Sequence, residues 1–172
     1  MRKQQVYIFL FLAICIVLMA CTKQAPQIPA NKGNTGDQNV ATLLDINKTL
    51  ATREDSILQE YAKTKPDFKK SKLGFWFKIN NPNTNPLLKK NDSFRCKINI
   101  FLLNGKEIQA DEKVIVLGKK QLVRGLEEGL KLMRRGESAT FIIPWYLAYG
   151  MKGDENSIPP YTSLIYQIEV LK

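Results

Sequence analysis

The chain has 172 residues, 44% of them hydrophobic and 24% charged, enough apolar mass for one packed domain with some extra segment. Its 26 basic and 16 acidic residues leave a formal charge of +10, but the Lys and Arg residues are spread along the sequence rather than gathered among aromatics, which argues against a nucleic-acid surface. Histidine is absent, which removes the commonest general base and the commonest metal ligand, so neither a metal site nor a cofactor is expected.

Arg2 and Lys3 precede an unbroken apolar run, Val6 to Ala20, which ends at Cys21. A basic start, a short apolar stretch and small residues before a cut site form the pattern of a secretory signal. A membrane span takes roughly 17–25 residues, and this run is short for one. Leu18-Met19-Ala20-Cys21 resembles the lipobox of bacterial lipoproteins. The resemblance implies cleavage before Cys21 and acylation of its thiol, for instance with palmitate. Residues 1–20 are then a signal peptide and Cys21 is the lipid anchor; an uncleaved anchor helix is the alternative. In either case the rest of the chain is expected outside the cytoplasm, tethered to a membrane of a bacterial cell envelope and facing the periplasm. With Cys15 in the signal and Cys21 acylated, Cys96 has no partner for an intramolecular disulfide. Its place in an alternating strand pattern makes it a buried structural thiol.

Residues 21–45 hold Pro, Gly, Asn and Gln and few large apolar residues, as a flexible spacer would. A helical pattern appears around Val40 to Lys65, and residues 46–73 are expected to form a helical extension. Thr52 is placed to cap REDSILQEYAKT, with Ile57, Leu58 and Tyr61 at helical spacing, and Pro66 closes the pattern. From Gly74 the period changes to two. GFWFKI alternates Phe75, Phe77 and Ile79; RCKINIFLL alternates Cys96, Ile98, Ile100 and Leu102. Asn104-Gly105 predicts a two-residue hairpin turn, and Glu107 to Gly118 is the return arm. Leu122, Leu126, Leu130 and Met133 then recur at helical spacing, with Glu127 one turn from Lys131. Gly125 and Gly129 weaken that helix by roughly 1 kcal/mol each relative to Ala. They imply close approach to its backbone, and Gly136 is a natural stop. ATFIIP is a further strand. YLAYGMKGDENSIPPYTSL is a long loop, and SLIYQIEVL is a last strand with Leu164, Tyr166, Ile168 and Val170 in alternation. Connections this short require a mostly antiparallel sheet. The expected fold is α+β: a curved antiparallel sheet wrapped around one short helix, with an N-terminal helical extension.

Several motifs of the last fifty residues stand in a particular order: RGLEEGL, a basic-Gly-Glu turn, AYG, IPP and a final strand ending EVLK. In these the chain resembles the FKBP-type peptidyl-prolyl cis-trans isomerases. SKLGFWFKI, LNGKEI and GDEN look more particularly like the gliding-motility-associated FKBP-type lipoproteins of the Bacteroidetes. The resemblance implies a domain over residues 74–172 that rotates X-Pro amides in a pocket between sheet and helix. That reaction needs no acid, base, nucleophile or metal. It implies that Tyr149, Val123 and Leu126 form the catalytic set: the Tyr149 hydroxyl reaches the ligand, the Val123 N–H donates to the substrate carbonyl, and Leu126 is the floor. Leu122, Ile158 on an overhanging loop and Tyr166 on the last strand would bind substrate.

Counting from Asn104-Gly105, the family's strand tyrosine falls on Ile98, and its aromatic-acid pair falls on Ile108 and Gln109. A further pocket-wall aromatic of the family has no clear counterpart here, and Lys113 stands near its place. This wall is therefore expected to lack both aromatic area and a carboxylate, and Gln109 and Lys113 to be surface residues. The partners implied are proline-containing polypeptides and the membrane, with the protein a monomer. A folding isomerase for exported proteins is the first expectation. A non-catalytic chaperone or interaction module of a gliding or secretion machine is the second.

Overall fold

The computed structural model describes residues 35–171, so the signal peptide and Cys21 lie outside the described residues. Helix α1 runs over Thr35–Lys63. It begins inside the stretch expected to be spacer, and Thr52 lies well within it rather than at its start. The Thr52 Oγ1 donates to the Lys48 carbonyl at 2.9 Å, as Thr49 does to Asp45 and Ser56 to Thr52. A Ser or Thr hydroxyl is satisfied by the carbonyl four residues back as well as by a free N–H, so the residue type alone does not mark a helix start. The chain divides into two compact units, Met1–Leu44 and Asp45–Lys172. Of the first, only the opening turns of α1 are described.

In the second unit, α1 buries Leu58 and Ala62. Glu54 accepts a hydrogen bond from the Ser163 hydroxyl at 2.5 Å, and Asp55 accepts one from the Tyr146 hydroxyl. Lys70 approaches the same Asp55 carboxylate at 3.9 Å. The helix is thus fastened at both ends of the loop that joins the last two strands.

Six strands follow: β1 (Lys69–Lys70), β2 (Trp76–Ile79), β3 (Ser93–Leu102), β4 (Glu107–Val116), β5 (Ser138–Ile143) and β6 (Leu164–Val170). They form one antiparallel sheet in the order β1-β2-β5-β6-β3-β4. The alternation in the sequence becomes two faces. Cys96, Ile98 and Ile100 of β3, Ala139, Phe141 and Ile143 of β5, and Leu164, Tyr166, Ile168 and Val170 of β6 are all buried in one core. Full burial of each large apolar side chain contributes roughly 1.5–3 kcal/mol.

The helix against this core, α2, is short: Arg124–Leu130. Leu126, Leu130 and Met133 are completely buried. The close approach implied by its glycines is present. A Cβ on Gly125 would lie 2.5 Å from Ile143 Cγ2, and one on Gly129 would lie 2.6 Å from Phe141 Cε1. The helix stops six residues before Gly136, and Lys131 pairs with Glu128 at 2.7 Å, not with Glu127. Gly136 (φ 79°) instead shapes the turn into β5. The buried Glu137 beside it accepts the N–H groups of Asn83 and Arg134 at 2.9 and 2.8 Å, knotting the loop before β3 to that turn.

Two further details differ from the expected pattern. At the β3–β4 turn only Gly105 takes positive φ (86°), and its N–H bonds to Leu102 O at 2.9 Å, while Leu102 N–H bonds to Lys106 O. This is the three-residue loop closed by a left-handed glycine, not the two-residue turn. Beyond it the register steps from Phe101 opposite Glu107 to Ile100 opposite Gln109. Ile108 is the extra residue of a bulge.

Candidate functional site

A cavity of about 250 Å³ opens between α2 and the inner face of the sheet. Its size lies just below the roughly 300–1,000 Å³ of sites for drug-sized ligands, so it fits one small ring better than a large molecule. Leu126, fully buried, is its floor, and Leu122 and Val123 enter it from the segment before α2. Ile98 and Ile100 of β3 and Tyr166 of β6 form the sheet side, and Tyr149 closes it from the loop.

Val123 sits just ahead of the helix with extended backbone (φ −61°, ψ 150°). Its carbonyl accepts the N–H groups of Leu126 and Glu127 at 3.1 and 3.0 Å, while its own N–H makes no hydrogen bond among the described residues. That donor is therefore free at the cavity. Gln121 holds the segment in place. Its side-chain Oε1 accepts the Val116 N–H at 2.7 Å, and its N–H donates to the Glu127 carboxylate at 3.2 Å. Glu127 is thus engaged in fixing the entry to the helix, which explains why it is not paired with Lys131.

Tyr149 is carried by a loop with its own internal order. A 3-10 turn, Trp145–Leu147, follows β5. Gly150 N–H bonds back to Trp145 O at 2.9 Å, and Tyr161 N–H to Gly150 O at 3.1 Å. The Trp145 ring meets Tyr161 edge-on at 5.0 Å. Farther along, the Asp154 carboxylate accepts N–H bonds from Asn156 (3.0 Å) and Ile158 (2.6 Å). These backbone donors, Ile158 first, hold its pKa below the usual carboxylate range. Gly153 (φ 72°) lies so close to the returning strand of the loop that a Cβ would be 2.0 Å from Ile158 O.

Of the residues expected in the site, Tyr149, Val123, Leu126, Leu122, Tyr166, Ile98 and Gln109 line the cavity together. Ile158 and Ile108 do not. Ile158 is 3% exposed and packs into the core beneath its loop, because the Asp154 turn draws it inward. Ile108, the bulge residue, is half-buried at the edge of the core.

The wall expected to lack a carboxylate has one. Asp111 lines the cavity two residues beyond Gln109, and Lys113 follows two residues later, its ammonium 3.2 Å from Asp111. Counting from the turn missed Asp111. Period-two alternation from Gln109 contains it, since residues 109, 111 and 113 share one face of β4. Ile100, Lys120 and Gln121 are further lining residues that the motifs did not point to. Cys96, on the same strand as Ile98, is fully buried, and burial pushes its thiol pKa up to about 11.

Comparisons with known proteins bear on this geometry. Residues 85–171 match the family model of the FKBP-type peptidyl-prolyl cis-trans isomerases. A probable FKBP-type peptidyl-prolyl cis-trans isomerase of Haemophilus influenzae is 31% identical over 129 residues, covering 73% of this chain and 53% of that protein. Peptidyl-prolyl cis-trans isomerase FKBP9 of Homo sapiens is 35% identical over 96 residues, covering 53% of this chain and 17% of that protein. The chain thus spans about half the length of the first relative and much less of the second. Among solved structures, a peptidyl-prolyl cis-trans isomerase of Pseudomonas syringae shares the fold, with TM-score 0.63 and 24% identity over 73% of this chain and 93% of that one. AtFKBP13 superposes with TM-score 0.57 and 25% identity over 61% of this chain and 97% of that one. The chain belongs to the FKBP-type peptidyl-prolyl cis-trans isomerase family.

Proposed function

We propose that this protein catalyses cis-trans isomerisation of X-Pro bonds in exported polypeptides, while tethered by lipid to a membrane of the cell envelope. The observation that carries the catalytic part is the cavity floored by Leu126, with a free Val123 N–H and Tyr149 at its edge. An ordinary peptide bond resists rotation by ~18–20 kcal/mol, and uncatalysed prolyl isomerisation takes tens to hundreds of seconds. Twisting the amide breaks its conjugation. A dry, apolar cavity that fits the twisted form better than the planar one lowers the barrier. The Val123 N–H holds a substrate carbonyl, and Tyr149 offers a second hydrogen bond. Each step uses binding and orientation alone.

A protease-coupled assay on a proline peptide tests this reading. Acceleration over buffer that is lost in Val123→Asp supports it; a rate equal to buffer removes it.

A second reading is favoured by the β4 wall, where Gln109, Asp111 and Lys113 stand in place of aromatic area. On that reading the cavity holds client chains without turning them over, as a chaperone or as a part of a gliding or secretion machine. Suppression of client aggregation by a protein without isomerase activity would favour it. A deletion strain with normal motility and secretion would count against the machine role. The anchor rests on the Leu18–Cys21 pattern. Incorporation of labelled palmitate that disappears in Cys21→Ser supports it, and unchanged labelling removes it.

A further inference from the structure

β6 brings Tyr166 to the cavity from the inner face of the sheet. Its side chain is 2% exposed, and its hydroxyl is one of three buried side-chain polar atoms with no hydrogen-bond partner among the described residues. The other two, on Ser71 and Trp76, lie outside the cavity lining. Leaving a buried hydroxyl unpaired is unfavourable, and such a group in a folded protein calls for an explanation. If the ring were needed only as an apolar wall, Phe would fill the same space without that cost.

Tyr149 is its nearest polar neighbour, close enough to influence it through a weak hydrogen bond that falls short of ordinary geometry, with Asp154 weaker. Burial first, and Tyr149 next, raise its pKa far above the usual phenol value, so it remains a protonated donor throughout the neutral range. A phenol oxygen can accept one hydrogen bond while donating another.

We propose that Tyr166 is a positioning residue for Tyr149: with a prolyl peptide in the cavity, its O–H donates to the Tyr149 oxygen and leaves the Tyr149 hydrogen directed at the peptide carbonyl. The inference rests on the isomerase reading above and adds a group to it. In the free protein the Tyr166 hydroxyl makes no hydrogen bond of full geometry, although Tyr149 is within its reach, and the bound peptide draws the two hydroxyls into line. A donor polarised by a second hydrogen bond is a stronger donor, so the pair acts as a unit.

The test is a double-mutant cycle on the full chain with Tyr166→Phe, Tyr149→Phe and both. Tyr166→Phe removes one oxygen and keeps the ring. It is expected to lower kcat/KM for a prolyl peptide about 3- to 10-fold, the effect of one hydrogen bond. In the Tyr149→Phe background the same change is expected to alter kcat/KM by less than about 2-fold, because the partner is gone. The thermal midpoint of Tyr166→Phe is expected to hold or rise, since an orphaned polar atom has been removed. Three results overturn the proposal: no loss in the Tyr166→Phe protein, an equal loss in both backgrounds, or a loss that comes with a lowered midpoint. Peptide affinity, measured by calorimetry on the same four proteins, carries the same cycle if the unaltered chain does not isomerise the peptide. Failure of the isomerase reading is thereby distinguished from failure of this one.

Discussion

A glycine and a cysteine show how closely individual residues are constrained. Gly129 faces Phe141 so directly that a Cβ would sit 2.6 Å from its ring. Helix propensity favours Ala there by roughly 1 kcal/mol, but overpacking a filled core costs about 1–3 kcal/mol. Gly129→Ala is therefore expected to lower stability, read as a lower midpoint in urea; a more stable variant would show that Phe141 yields freely. Cys96 is fully buried, and its pKa rises from an ordinary 9.0 to about 11. A folded pKa above the unfolded one means stability is retained below pH 9 and falls as pH rises toward 11. The native thiol is expected to resist a thiol reagent at pH 8 and to react once the protein is unfolded; fast native labelling would contradict this. Both features were legible in the sequence: the glycine as an oddity in an apolar helix, the cysteine as an inward position of a strand. Asp111 was not, because counting from Asn104-Gly105 cannot reveal a bulge that takes up Ile108.

The elements divide in the same way. Strands β2 to β6 followed from period-two alternation, since each sheet face is either buried or wet. The two-residue strand β1 is too short to show any period. The spacing predicts a shorter helix than α1 because much of its length is exposed, with Val40, Leu43 and Ile46 open to solvent, and an exposed helix leaves only a weak pattern. Its role as a fastener was invisible, since Glu54 and Asp55 meet Ser163 and Tyr146 from far along the chain. Burial, and then the hydrogen bond to Asp55, raise the Tyr146 pKa well above the phenol range. Asp55→Ala leaves that hydroxyl partly buried without its acceptor. It is expected to cost about 1–2 kcal/mol. Glu60→Ala, which breaks a solvent-exposed pair with Lys63, is expected to cost less than about 0.5 kcal/mol. Thermal denaturation of the two variants compares them, and equal midpoints would remove the fastening role of α1.

Taken together, the sheet order places the β3 and β6 residues side by side across from α2, and this juxtaposition makes the cavity. The long loop then adds Tyr149, held from within by its own turns and from outside by α1. Sequence motifs pointed to the floor, the loop tyrosine and the last strand because those positions carry recognisable chemistry. They did not reveal that Ile158 turns inward, since its burial depends on the Asp154 carboxylate gathering backbone N–H groups four residues away. Catalysis depends most on the free Val123 N–H and the apolar floor at Leu126 acting as one site. The direct measurement is kcat/KM for a proline peptide with the unaltered protein and with Val123→Asp, which places a charge in that cavity. Clear acceleration is expected from the first and a loss of at least about 10-fold in the second, equivalent to about 1.4 kcal/mol of transition-state stabilisation. Equal rates for the two proteins, or no acceleration by either, would contradict this reading.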